Sequence, residues 1–110
     1  MKPSEGLEKT LEVLYDRGWT KHRFERKTGE VCLRGATRLV MCGTTYLGSA
    51  VCYNSILDAY ILQAIRTSHI TTRDSITHWN DAPGRTFDDI VEVLELAKKL
   101  ALIDEEGGEE

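Results

Sequence analysis

The chain has 110 residues, 41% of them hydrophobic and 29% charged, which bounds it to one domain with enough apolar content to build a core and excludes a disordered chain. The apolar stretches around Leu39–Met41 and Tyr60–Leu62 fall far short of the about 18 residues that span a bilayer. The net charge of −4 speaks against a dedicated nucleic-acid binder but leaves room for a local basic patch.

The charge is unevenly spread. Residues 1–40 hold nine Lys/Arg against six Asp/Glu, whereas residues 86–110 hold two Lys against nine Asp/Glu. The start, Met1 to Gly6, lacks the apolar stretch of a secretion signal, so the expected location is the cytoplasm.

Leu7, Leu11 and Leu14 recur at helical spacing, with Ser4 as the expected cap and Gly18 as the stop. Trp19 is expected to fold back over the helix end. The polar, basic stretch Thr20–Gly29 reads as a loop, with a hairpin near residues 19–33 as the alternative, because Val31 and Leu33 alternate with polar neighbours. A second helix is predicted from Glu30 to Cys42, closed by Gly43. Gly35 inside it costs about 1 kcal/mol relative to Ala, which argues that it permits a close approach.

Residues 43–54 read as a connection. A third helix follows, with Ser55 and Asp58 as a capping box. Leu57, Ile61, Ala64 and Ile65 form its apolar face, and it ends near His69. Residues 71–79 have room for one short helical turn. Pro83-Gly84 suits the centre of a type II turn, and Thr86 with Asp89 forms a second capping box before a last helix, Phe87 to about Leu102. The expected organisation is a single helical domain over residues 1–103 and an acidic, disordered tail over residues 104–110.

Cys32, Cys42 and Cys52 are odd in number and show no close pair. They read as small apolar side chains in a reducing compartment, with no metal site expected.

Two motifs carry a resemblance: Cys32-Leu33-Arg34-Gly35-Ala36 and, more specifically, Trp79-Asn80-Asp81-Ala82-Pro83-Gly84-Arg85-Thr86-Phe87-Asp88-Asp89. Over roughly Leu7 to Leu100 the chain resembles a small protein family of actinobacteria and their phages. Residues Gly43–Tyr53 match no part of that pattern. The resemblance implies no activity. It implies a bacterial or phage origin, and a phage origin would favour an accessory protein that touches host machinery.

Two segments are candidate interaction sites. Asn80, Asp81 and Arg85 can present polar groups beside a helix N-terminus, a natural anion site, or serve the turn itself through bonds to nearby backbone and an Arg85–Asp81 pair. Lys21, Arg23, Arg26 and Lys27 surround Phe24, with Arg34 and Arg38 as further cations, a composition that can hold phosphate and stack a base or form a solvated loop. His22, His69 and His78 show none of the spacings of a hydrolytic or metal site, and the acidic residues of the last helix, Asp88, Asp89, Glu92 and Glu95, can steer a basic partner.

The sequence therefore predicts an all-α domain of four helices with irregular connections. Its expected core is Leu11, Leu14, Trp19, Leu33, Ile61, Ile65, Trp79, Phe87, Ile90 and Leu94. The expected function is a non-enzymatic interaction module without cofactor, taking a host protein or a second copy as partner and no membrane. A nucleic-acid-associated regulator using residues 21–27 is the alternative, and a small enzyme or metal protein the third reading.

Overall fold

Helical spacing and glycine stops recur in the computed structural model, which describes residues 1–43, 56–68 and 75–107. These contain five helices: α1 (Pro3–Arg17), α2 (Leu33–Cys42), α3 (Ile56–Ser68), α4 (Ile76–Asp81) and α5 (Phe87–Gly107). The expectation of four helices is thus corrected to five. The addition is α4, which Ser75 caps by accepting the His78 N–H.

α1 packs against both α2 and α5, and α3 lies against α5. Leu7, Leu14, Leu33, Ile61, Ile65, Trp79, Ile90 and Leu94 are buried in one cluster, with Leu11 beside them. Trp19 and Phe87 are half-buried against it. Burying each aliphatic side chain of this set contributes about 1.5–3 kcal/mol.

The ends of the helices differ from the sequence expectation for local reasons. Pro3 occupies the first helical position of α1, where its missing N–H costs nothing. Ser4 is therefore inside the helix and does not cap it. It is buried, and its N–H and hydroxyl both donate to Glu105, at 3.2 and 2.7 Å. Gly18 ends α1 with φ +92°.

α2 begins at Leu33 and not at Glu30, because Val31 is already committed. Val31 donates to the Gly18 carbonyl and accepts from the Thr20 N–H, each at 3.0 Å. It forms isolated bridges with Trp19 and Glu25. Among the described residues there is no strand, so the alternative of a hairpin over residues 19–33 reduces to these two bridges.

The expected box at Ser55 and the helix end at His69 lie outside the described residues, as do Cys52 and, beyond Gly43, the expected connection over residues 43–54. The second box is present: Thr86 donates its N–H to Asp89 Oδ2 at 3.0 Å, and Asp89 returns its own to Thr86 Oγ1 at 3.3 Å. Gly84 takes φ +79°, and the Arg85 N–H reaches the Ala82 carbonyl at 3.1 Å, as a type II turn over Pro83-Gly84 requires.

α5 continues to Gly107, past the expected tail boundary at residue 104. Two side-chain clamps hold the extension: Glu105 to Ser4, and Asp104, which accepts from the Tyr60 hydroxyl at 2.7 Å. No described helix is long and apolar enough to cross a membrane.

Candidate functional site: a basic loop fixed by Asn80

The two segments singled out in the sequence meet in space and form one assembly. At its centre is Asn80, in α4 and fully buried. Its Oδ1 accepts from the Trp19 indole N–H at 2.7 Å and from the Leu33 backbone N–H at 3.1 Å. Its Nδ2 donates to the Thr20 carbonyl at 3.1 Å and to Asp81 Oδ1 at 2.9 Å. Both lone pairs and both protons of the amide are used. One side chain thereby joins the end of α1, the loop after it, the first turn of α2 and α4.

The rest of the motif also turns inward. Asp81 Oδ1 accepts the His22 N–H at 2.8 Å, and Oδ2 lies 3.6 Å from His22 Nδ1. This holds His22 at φ +70°, a conformation that costs a residue with a Cβ about 1 kcal/mol. Arg85 donates through Nε to the Trp79 carbonyl at 2.8 Å and places its guanidinium 4.1 Å from the Trp79 ring. Its charged partner is Asp89, at 3.8 Å, and not Asp81. Asn80, Asp81 and Arg85 are thus occupied within the fold.

The loop they hold is pinned along its length. Lys21 donates to the Ala82 carbonyl at 3.0 Å and lies 5.6 Å from the Trp19 ring. The Phe24 carbonyl accepts from Cys32 N at 3.2 Å. A Cβ built on Gly35 would stand 2.1 Å from that same oxygen, so the helical glycine is what lets the loop lie across the first turn of α2. The Arg26 N–H reaches the Glu30 carbonyl at 2.8 Å, and Arg26 Nε donates to Thr20 Oγ1.

Phe24 is half-buried, with the guanidinium of the buried Arg38 5.3 Å from its ring centroid. Arg34 turns the other way, to Asp58 at 3.8 Å. Arg23, Arg26 and Lys27 remain exposed, and with Thr28 they line an open depression of about 280 Å³.

A second, smaller pocket of about 80 Å³ brings together His22, Arg23, Phe24, Cys32, Thr77 and Asp81. Cys32 is the N-cap of α2, its sulfur accepting from Gly35 N at 3.3 Å. It is a buried free thiol; burial pushes its ionisation up, backbone hydrogen bonds oppose that, and the nearby Asp81 carboxylate adds to the rise. A thiol held protonated in this way is a weak nucleophile. Among the described residues no three His, Cys, Asp or Glu side chains are arranged to hold a metal ion.

Sequence reasoning found the residues of this assembly but missed their division of labour. Gly35 was the one legible signal of the close approach. The engagement of Asn80 with Trp19 and Leu33 spans 61 and 47 residues and leaves no mark in local spacing.

What these features define is a helical domain in which a buried hydrogen-bond network anchors a basic loop. A family of unknown function, DUF6197, matches residues 1–100, and the chain belongs to that family. No curated protein matches the chain, and no solved structure does.

Proposed function

We propose that the protein is a non-enzymatic interaction module that presents the loop around Arg23, Arg26 and Lys27 to an acidic surface of a protein partner. The observation that carries this reading is the inward commitment of Asn80, Asp81 and Arg85. A fully satisfied buried network fixes the loop, while three cations on it face solvent. A contact surface ordered before binding avoids the entropy cost of ordering on binding.

The partner is a host protein or a second copy, met in the cytoplasm. The resemblance of the Trp79–Asp89 motif to proteins of actinobacteria and their phages supports an accessory role in a phage-infected host.

Nucleic acid is the second reading, since cations on a loop suit phosphates as well. Two features weigh against it. Phe24, the aromatic that would stack a base, already lies against Arg38. The last helix carries seven acidic side chains, Asp88, Asp89, Glu92 and Glu95 among them, which repel a polyanion. The third reading, a small enzyme or metal protein, would centre on Cys32 with His22 and Asp81, where the protonated, buried thiol is a poor start.

The test is affinity capture with the tagged protein from an actinobacterial lysate, with and without nuclease, beside the double variant Arg23→Glu/Lys27→Glu. A discrete protein that survives nuclease and is lost from the variant supports the module. Equal capture by the variant removes the loop from the contact. Capture abolished by nuclease transfers the loop to the nucleic-acid reading.

A further inference from the structure

We infer that the depression lined by Arg23, Arg26, Lys27 and Thr28 is a binding site for an oxyanion group, a phosphoryl or carboxylate carried on the partner. The inference rests on the interaction reading above and names the chemistry that the loop recognises.

The lining consists of three cations and a hydroxyl, with no acidic side chain. Of the acids nearest in sequence, Glu25 pairs with Arg17 at 3.2 Å, and Glu30 stands at the rim, where it takes the Thr28 hydroxyl proton at 2.6 Å and leaves the three cations as the donors of the site. Arg23 and Lys27 form no ion pair among the described residues. Arg26 is held through its Nε bond to Thr20, which fixes the plane of its guanidinium and leaves the two Nη groups for an external acceptor. A guanidinium offering paired N–H groups fits the two oxygens of a carboxylate or phosphoryl group.

The loop backbone sets the rim. The Arg26 N–H bonds the Glu30 carbonyl at 2.8 Å and the Gly29 N–H bonds the Arg26 carbonyl at 2.9 Å. This closes a tight turn in which Gly29 takes φ +109°. Lys27 and Thr28 occupy the tip of that turn, with Arg23 and Arg26 on the chain that enters it. The volume of about 280 Å³ lies at the lower end of ligand-sized clefts and suits one charged group better than a whole small molecule.

The experiment is a titration of the full-length protein, followed by backbone amide and arginine Nε NMR signals, with inorganic phosphate in one arm and acetate in the other at low ionic strength. Saturable shifts confined to Arg23 and residues 26–29 are expected. Arg23→Ala and Lys27→Ala should each weaken binding about tenfold, as loss of one charge-assisted contact does. Neither side chain holds the fold together, so both variants should keep the native spectrum elsewhere.

A response to phosphate well above that to acetate assigns the site to a phosphoryl group, and equal responses assign it to carboxylates. Shifts spread evenly over all basic residues, or unchanged affinity in both variants, would overturn the site. If local binding is found while no protein partner is captured, the site stands and the module reading fails. Capture that depends on Arg23 and Lys27 without any local anion response has the opposite meaning.

Discussion

The indole of Trp19 donates to the side-chain oxygen of Asn80 at 2.7 Å, tying the end of α1 to α4 across 61 residues of sequence. The same oxygen receives the Leu33 N–H, one of the backbone donors that the first turn of α2 cannot satisfy itself. Trp19 also stacks against Phe87 at 6.4 Å, and Tyr15 meets that ring edge-on at 5.5 Å. The polar contact therefore sits beside an aromatic cluster of Tyr15, Trp19 and Phe87.

Asn80→Ala strands the Trp19 and Leu33 donors, and each buried donor without a partner costs about 1–3 kcal/mol. Chemical denaturation should show a loss of about 3 kcal/mol, with Trp fluorescence altered in the native state. Asn80→Asp keeps the acceptor but sets a carboxylate against the Thr20 carbonyl and Asp81, and should be at least as harmful. A loss within the range of ordinary surface substitutions would contradict the central role given to Asn80.

Gly35→Ala pits helix propensity against sterics. The substitution gains about 1 kcal/mol from propensity, but its Cβ meets the Phe24 carbonyl at 2.1 Å, and the atom that must move is backbone. Overpacking of this kind costs about 1–3 kcal/mol. The expected net result is destabilisation, with amide shifts concentrated at residues 23–26. A stabilised variant would show that the loop yields freely.

Glu105 acts as a cap for α1 supplied from the far end of the chain, its carboxylate accepting from Ser4 N and Oγ at the positive end of the helix dipole. Glu105→Ala should lower stability by about 1 kcal/mol. It should also speed amide exchange both in the first turn of α1 and in the last turn of α5. Exchange altered in α5 alone would disconnect the two ends.

Cys32 should resist alkylation at pH 8 in the folded protein and react on unfolding, which peptide mass spectrometry can follow at that residue. The sign follows from burial. Desolvation raises its ionisation above the ordinary value of 9.0, so the stability it contributes is complete below that pH. That contribution is lost as pH climbs toward the raised folded value. Fast native alkylation at pH 8 would mean that the thiolate is accessible.

Tyr60 also has a raised ionisation, caused first by the hydrogen bond its hydroxyl donates to Asp104. The contribution of the bond is complete below the ordinary value of 10.0 and is lost only as pH climbs through the raised folded value. Tyr60→Phe should leave the neutral-pH stability within about 0.5 kcal/mol of the parent, while removing the alkaline fraying of the last turn of α5 seen by amide exchange.

What the sequence determined by itself is what local spacing encodes. The 3.6-residue recurrence of Leu7, Leu11 and Leu14 forecast α1. Gly18 and Gly43 marked two helix ends, Thr86 with Asp89 the start of α5, and Pro83-Gly84 the turn before it. Each of these depends on residues a few positions apart, where propensity and cap chemistry act. Tertiary structure decided the rest. Val31 was taken from α2 by bonds to Gly18 and Thr20, the acidic end of α5 was ordered by Ser4 and Tyr60, and Asn80 was drawn into the interior as a junction. Those outcomes depend on donors and acceptors distant in the chain, which must find partners once burial removes water. The same requirement turned the polar motif inward and left the cations of the neighbouring loop facing out.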